Sequence, residues 1–193
     1  MIKCRASLAL LISLILVGCA TTHPNTVTQV STINALLAGV YDGQQTCGRM
    51  LRHGDLGLGT FDALDGEMVV LDGAVYRVRS DGQVYRVRRG EKTPFAAVVD
   101  FVPQEKQAVT TPKDMAEIEG LINELAPNTN LVVAVRIRGD FETMKTRSVP
   151  AQTKPYPPLA EVAKEQSVFE FENVTGTIVG FRCPAYLSGV NVP

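Results

Sequence analysis

The chain has 193 residues, of which 45% are hydrophobic and 20% are charged. This composition is typical of a globular protein with a buried core, and it excludes disorder as the main state. The 19 basic and 20 acidic side chains leave a formal net charge of −1, which argues against a nucleic-acid-binding protein, because such proteins usually carry a basic excess. With only two histidines, a metal site made from histidines of this chain alone is nearly excluded.

The first 18 residues are predicted to be a signal peptide. Two basic residues precede an apolar run over residues 8–17, which is shorter than the roughly 20 residues needed to cross a bilayer. The segment LVGC, which ends at Cys19, resembles a bacterial lipobox and implies cleavage before Cys19 and lipidation of its thiol. A lipid-anchored protein of the bacterial cell envelope, facing the periplasm, is therefore expected. Ala20 favours the outer over the inner membrane. The alternative is an apolar helix with an incidental cysteine.

The organisation expected after the signal peptide is simple. Residues 19–30 are predicted to be the lipidated cysteine and a polar tether, in which His23 is solvated, and residues 31–193 a single domain. Two further cysteines, Cys47 and Cys183, either form a disulfide, which the envelope would permit, or remain separate buried thiols. The sequence leaves this choice open, because it does not give the distance between them.

The first half of the domain is dominated by turn signals. A short helix is predicted over residues 31–38, capped by Ser31. The five glycines within residues 48–66 suggest a loop in which backbone approaches backbone or ligand closely. Three Asp-Gly pairs, at residues 65–66, 72–73 and 81–82, indicate turns of a β-meander. Another strand is expected over residues 94–102.

The second half alternates between helix and strand signals. Thr111 is the predicted cap of a helix that ends near residue 126, and the apolar run LVVAVRI at residues 131–137 is typical of a central strand. Gly139-Asp140 is predicted to be a turn into a strand over residues 141–147. The proline-rich residues 148–158 are predicted to form an ordered crossing. A helix over residues 159–165 and strands over residues 168–171 and 175–181 complete an α+β fold with mainly antiparallel sheets and few short helices.

The residues alone offer few candidates for chemistry. Glu67 follows an Asp-Gly turn at the start of an apolar strand, and Lys145 and Arg147 share one strand face. Paired cations of this kind can hold a carboxylate. For all three, the simpler interpretation is a solvated side chain at a strand end. His53, in a Gly-rich segment, is either a base or a loop histidine bonded to backbone. At this level the sequence indicates only an anionic small-molecule site.

Four segments carry a family resemblance: STINALLAGVYDG, HGDLGLGTFDALDGEMVVLDG, KTRSVPAQTKPYPPLAEV and FEFENVTGTIVGF. In order and spacing they closely resemble bacterial α-acetolactate decarboxylase, over about residues 30–193. The resemblance implies conversion of 2-acetolactate to acetoin and CO2, with zinc held by three histidines, and a possible homodimer. By motif position it makes Glu67 the active-site glutamate and Arg147 the active-site arginine, and it places Thr60 in the same pocket.

The resemblance also implies residues that this sequence does not contain. In the family an H-x-H pair, a third histidine and a further glutamate follow the segment that here reads NVP at residues 191–193. The two histidines present do not match those positions, so no complete set of zinc ligands is expected. Two hypotheses follow. One is an envelope-anchored acetolactate decarboxylase with an incomplete sequence, and the other is an inactive truncated lipoprotein of the same fold.

Overall fold

The computed structural model describes residues 25–192. The predicted signal peptide, Cys19 and His23 therefore lie outside the described residues. Within them, no helix is both long enough and apolar enough to cross a membrane. The helices are α1 (Ile33–Leu37), α2 (Cys47–Met50), α3 (Met115–Leu125) and α4 (Leu159–Val162). The strands are β1 (Val27–Val30), β2 (Gln45–Thr46), β3 (Leu56–Thr60), β4 (Glu67–Leu71), β5 (Ala74–Val78), β6 (Val84–Arg86), β7 (Lys92–Thr93), β8 (Ala96–Val99), β9 (Val133–Ser148) and β10 (Ser167–Arg182).

Six of these strands form the central antiparallel sheet, in the order β1-β8-β3-β4-β5-β6. The turn between β4 and β5 is Asp72-Gly73, with φ angles of 50° and 72°, as the hairpin signal predicted. The turn between β5 and β6 contains Gly82, also at positive φ. Asp65-Gly66 differs, because it is only the last part of a longer connection between β3 and β4, which also contains a short 3-10 turn. The α+β class with mainly antiparallel sheets is confirmed.

The Gly-rich residues 48–66 are not the single loop that was expected, because three of the five glycines belong to α2 and β3. The close backbone approach that the glycines indicated is present. A Cβ built on Gly57 would lie 2.7 Å from Val98 Cγ1, and one on Gly59 would lie 2.7 Å from Ala96 Cα. Both glycines sit opposite β8 in the middle of the sheet. The glycines therefore allow a central strand to pack against its neighbours instead of breaking it.

One face of the sheet forms the main core. Met68 and Val70 of β4 and Ala96 of β8 pack there with Cys47 and Met50 of α2, and all are at most 1% exposed. A second buried cluster joins α1 and α4 to the ends of the sheet; its members are Leu36, Tyr41, Leu64, Phe95, Val149 and Val162. The core therefore sits on the side of the sheet that α2 covers.

The two strand pairs predicted in the second half are instead one long hairpin. β9 and β10 each run for 16 residues and pair along their whole length. The predicted turn at Gly139-Asp140 is wrong, since Gly139 pairs with Gly176 within the ladder. The predicted central strand at residues 131–137 is also wrong in the described chain, where β9 pairs with β10 alone. The two glycines lie opposite each other and leave the ladder intact. The apolar run at residues 131–137 indicates a β-strand, but it does not show whether other strands pair with it on one side or on both.

The boundaries of three predicted elements need correction. The tether prediction fails for Val27–Val30, which pair with β8 as an edge strand. The first helix is capped by Thr32, whose side chain accepts from the Ala35 N–H, and not by Ser31. The α3 cap is Asp114, which forms a capping box with Glu117, and not Thr111. In each case several small polar residues occur together, and only the local backbone geometry decides which of them caps.

The proline-rich residues 148–158 form the predicted ordered crossing. The Gln152 N–H donates to the Ala63 carbonyl at 2.7 Å, and the Tyr41 hydroxyl donates to the Pro157 carbonyl at 2.9 Å. Lys154 pairs with Asp42 at 2.7 Å. These contacts join the end of β9 to the region before β4, so they place Arg147 relative to the sheet.

Candidate functional site

The candidate site lies where β3 ends and β4 begins. Thr60 is opposite Glu67, and Glu67 is opposite Val78 of β5, so the three side chains share one face of the sheet. The core residue Met68 points to the other face, which α2 covers. Thr60 is 3% exposed, and Glu67 is partly buried. A carboxyl group is thus placed on the partly covered face opposite to the core.

The turn before Glu67 is held by three side-chain hydrogen bonds. The Asp65 carboxylate accepts from Arg77 at 2.9 Å and from Arg79 at 2.6 Å, and the Thr60 hydroxyl donates to the Gly66 carbonyl at 2.8 Å. Gly66 has φ of +86°, and a Cβ there would collide with the Val78 carbonyl. This turn has little freedom to move, so the start of β4 and its carboxyl group are fixed relative to β3.

Arg147 reaches the site from the end of β9. Its neighbour Ser148 is fully buried, and the Ser148 hydroxyl donates to the Val78 carbonyl at 2.8 Å. Because Val78 is opposite Glu67, this bond attaches the end of the hairpin beside the carboxyl group. Arg147 itself is exposed. The structure therefore brings Arg147 near Glu67 and Thr60, although Arg147 is far from both in the sequence.

The electrostatics of Glu67 are unusual for a glutamate. Burial raises the pKa of its carboxyl from 4.5 to about 7, and the positive charge of Arg147 opposes part of that rise. At neutral pH a large fraction of the carboxyl is therefore protonated. A carboxylic acid beside a guanidinium can donate a proton while the guanidinium holds an anion.

Two other predicted candidates do not belong to this site. Lys145 pairs with Glu170 on the facing strand at 2.9 Å, and both side chains are largely exposed. The simpler interpretation of Lys145, a solvated side chain on a strand, is therefore correct. His53 is exposed and lies before Leu56, at the opposite end of β3 from Thr60. It is too far along the strand to act as a base for Glu67.

The cysteines beyond residue 19 are separate. Cys47 and Cys183 are both free, so the disulfide alternative is wrong and the alternative of two thiols is correct. Cys47 is fully buried in the core, and burial raises its pKa to about 11, which makes it an unreactive thiol. Cys183 is partly buried and contacts the Asn191 side chain.

A zinc site does not fit the residues present. Across residues 25–192 no three His, Cys, Asp or Glu side chains come close enough together to hold a metal ion. Glu67 offers one oxygen donor, while a catalytic zinc takes three protein ligands. The described residues therefore supply acid and cation chemistry at this site, and no metal centre.

Sequence reasoning missed the residues that hold the turn. Arg77 is 11% exposed, lies 4.0 Å from the centre of the Phe61 ring and also pairs with Glu91. An arginine that alternates with apolar residues next to an Asp-Gly turn was a usable signal. The alternation alone shows which residues share a face of the strand, but not that the face with Arg77 is turned toward the core.

Comparison with known proteins gives a consistent result. The family model described as alpha-acetolactate decarboxylase matches residues 27–193. The alpha-acetolactate decarboxylase of Methylococcus capsulatus is 48% identical over 164 residues, which are 85% of this chain and 63% of that protein. The protein of the same name from Methanosarcina mazei is 50% identical over 86% of this chain and 57% of its own length. The chain thus spans about three fifths of these two relatives.

Solved structures agree with the sequence matches. The crystal structure of alpha-acetolactate decarboxylase from Bacillus subtilis superposes with a TM-score of 0.84 at 43% identity, and covers 86% of this chain and 71% of that one. A Staphylococcus aureus protein described as similar to alpha-acetolactate decarboxylase superposes with a TM-score of 0.80 at 31% identity. Its match covers 86% of this chain and 71% of that one. The fold and the sequence therefore point to the same family.

Proposed function

Because this chain belongs to the alpha-acetolactate decarboxylase family, we propose that it takes part in converting 2-acetolactate to acetoin and CO2. The observation that carries the proposal is the pairing of a carboxyl group of raised pKa with an arginine at one end of the sheet. The reaction needs a proton donor and a cation for a carboxylate, and Glu67 and Arg147 supply these two groups.

The substrate is a β-keto acid, and its chemistry assigns the two roles. Arg147 binds the substrate carboxylate. When the bond from carbon to that carboxylate breaks, CO2 leaves and the electron pair moves into the neighbouring carbonyl, which forms an enediolate. Glu67, in its protonated form, then delivers its proton to the carbon that lost CO2, and acetoin results. Thr60 holds the turn that positions Glu67, through its bond to Gly66.

According to the sequence resemblance, zinc would supply the Lewis acid that stabilises this negative charge in the family. The described residues do not form a zinc ligand set, so no step here depends on the metal. The second candidate function, which the sequence left open, is an envelope lipoprotein of the same fold without decarboxylase activity. The lipid anchor at Cys19, the periplasm-facing location at the outer membrane and a homodimer remain proposals that rest on the sequence resemblances alone.

The test of the proposal is an assay of acetoin formation by the purified full chain, with elemental analysis for zinc. If the chain is active, Glu67→Gln and Arg147→Lys should each reduce turnover by at least tenfold, because the amide cannot donate the proton and lysine loses the bidentate grip. The matched controls, Glu119→Gln and Lys145→Arg, change exposed side chains and should keep full turnover.

Two results would decide against parts of the proposal. Full activity in either site variant would remove the roles assigned to Glu67 and Arg147. No acetoin from the full chain, together with no bound zinc, would favour the inactive lipoprotein. Zinc bound at one ion per chain would show a ligand set outside the described residues or one formed by rearrangement.

A further inference from the structure

Five exposed arginines that the proposed reaction does not use form a basic surface over two adjacent segments. One lies on α2, one just after α2, one at the end of β6 and two on the segment that follows β6. We call this surface the arginine patch, and its members are Arg49, Arg52, Arg86, Arg88 and Arg89.

Direct contacts join the two halves of the arginine patch. The Gly48 N–H of α2 donates to the Arg89 carbonyl at 2.8 Å. Arg86 and Arg89 line a cavity of about 110 Å³ together with Leu51, the residue that follows α2. The Arg52 N–H bonds to the Arg49 carbonyl at 3.2 Å, so these two residues lie one turn apart on the same side. These contacts place the two arginine-bearing segments side by side.

The charge of this surface is not neutralised by the protein. Among residues 25–192, no ion pair involves any arginine of the patch. Two acidic residues nearby form ion pairs with other arginines. Glu91, which follows the patch in the sequence, pairs with Arg77, and Asp72, near the cavity, pairs with Arg136. The formal net charge of the chain is −1, so the positive charge of the arginine patch is a property of this region and not of the whole protein. A surface of this kind attracts polyanions.

The strand register shows which end of the sheet carries the arginine patch. Val27 is opposite Val99, Val99 is opposite Leu56, and Leu71 is opposite Ala74, so these residues mark one end. The Val87 N–H donates to the Val75 carbonyl, which puts Arg88 level with that end.

The amino-terminal part of the chain arrives at the same end. The Asn25 N–H donates to the Asp100 carbonyl at 3.0 Å, just beyond the Val27–Val99 pair. The six residues from Cys19 to Asn25 can span at most about 20 Å. The end of the sheet that carries the arginine patch is therefore the end nearest to a lipid attached at Cys19.

The candidate site is at the other end. Glu67 begins β4 and Leu71 ends it, which separates the two ends by about 13 Å along this strand alone. A membrane that contacted the end of the sheet level with Arg88 would leave the Glu67 end open to solutes. A domain held at the membrane in this orientation would still let a small molecule reach the candidate site from solution.

We propose that the arginine patch docks the domain onto the anionic lipid headgroups of the membrane. Phosphodiester headgroups present negative charge in a plane, and exposed arginines on two adjacent segments can contact it, because guanidinium groups bind phosphate oxygens in pairs. A lipid at Cys19 would hold the domain near the membrane, and a basic surface would add to the binding and orient the domain. The interaction requires neither acetoin formation nor the lipid, so it can be measured without them.

The test uses the full chain with Cys19→Ser, which cannot be lipidated. Its binding is compared on vesicles of phosphatidylcholine with and without phosphatidylglycerol, at low and high sodium chloride. We expect preference for the anionic vesicles, lost at high salt. Arg86→Gln, Arg88→Gln and Arg89→Gln combined should reduce that binding by roughly a hundredfold, since each basic side chain near such a surface contributes about fivefold.

The matched control removes the same charge elsewhere, with Lys106→Gln, Arg138→Gln and Lys164→Gln combined, all at exposed positions. This variant should keep most of the preference, and circular dichroism should show both variants folded. Equal losses in the two variants would mean that net charge acts without a specific surface. If inorganic phosphate stabilised the parent and not the patch variant, while vesicles bound both equally, the surface would be a site for a small anion and the membrane proposal would be wrong.

Discussion

At the scale of single residues, Glu67 shows how position changes the character of an ordinary side chain. Its carboxyl begins a strand, which in most proteins would leave it solvated. Here the hairpin end, attached through the Ser148 hydroxyl and the Val78 carbonyl, lies beside it. Burial then favours the neutral form more than the nearby arginine favours the charged form. The balance between these two effects decides whether Glu67 can hold a proton at neutral pH.

The raised pKa of Glu67 makes stability depend on pH. The folded carboxyl, with a pKa of about 7, holds its proton at pH values where the unfolded carboxyl, near 4.5, has lost it. The free energy of unfolding should therefore fall as pH rises from about 4.5 to 7, by about 3 kcal/mol at most. Urea denaturation across this range should show the fall in the parent and a much smaller one in Glu67→Gln. An identical pH dependence in both proteins would contradict the raised pKa.

Asp65 is the residue through which the turn before Glu67 is held. Asp65→Asn removes the charge that pairs with Arg77 and Arg79, and leaves the mostly buried Arg77 with Glu91 as its carboxylate partner. We expect a loss of about 2 kcal/mol in the free energy of unfolding. Asp72→Asn, which breaks an exposed pair with Arg136, should cost less than about 0.5 kcal/mol. Chemical denaturation measures both, and equal small effects would show that the Asp65 pairs contribute little.

At the scale of elements, β3 shows that glycine-rich sequence is not always loop. Its glycines lie between β4 and β8, and they permit a backbone approach that any side chain would prevent. The strand then ends at Thr60, whose hydroxyl holds the turn before Glu67. The same short element thus supports both the core on one face and the candidate site at its end.

The tight packing of β3 can be tested with one methyl group. Gly59→Ala places a Cβ about 2.7 Å from Ala96 Cα, against backbone that cannot move freely, so we expect destabilisation of about 2 kcal/mol. Gly90→Ala is the matched control, because a Cβ there meets no atom within 4 Å. Thermal or urea unfolding of the two variants measures the difference. A Gly59→Ala protein as stable as the parent would mean that β3 and β8 separate easily.

At the scale of the whole molecule, the central sheet has two functional ends. One end carries Glu67 and Arg147, and the other carries the arginine patch and the point where the chain arrives from Cys19. The length of β4 separates these two ends by about 13 Å. A protein held at a membrane by one end would keep its candidate site exposed to the solution.

The predicted lipid anchor is tested in the whole chain. Cys19→Ser should prevent incorporation of labelled palmitate and release a large part of the protein from the membrane fraction of the bacterium, since the thiol of the predicted lipobox is then absent. Cys183→Ser is the matched control, and it should be labelled and retained like the parent. Equal labelling of Cys19→Ser and the parent would exclude Cys19 as the lipidated residue.

Much of this organisation was predictable from the sequence alone. Asp-Gly pairs beside alternating strands fixed the turns of the meander, because few residues other than glycine adopt positive φ at no cost. The motifs around Glu67, Arg147 and Thr60 indicated the family, and membership of the family implied the fold. These signals are local, since each depends on the identity of a few adjacent residues.

Only the tertiary structure decided the remaining points. It joined two pairs of predicted strands into one hairpin, separated Cys47 from Cys183, and paired Lys145 with Glu170 away from the site. It also turned Arg77 toward the core and gathered the arginine patch from two distant segments. Each of these depends on the distance between residues far apart in the chain. That distance is set by packing and register over the whole sheet, which no short stretch of sequence contains.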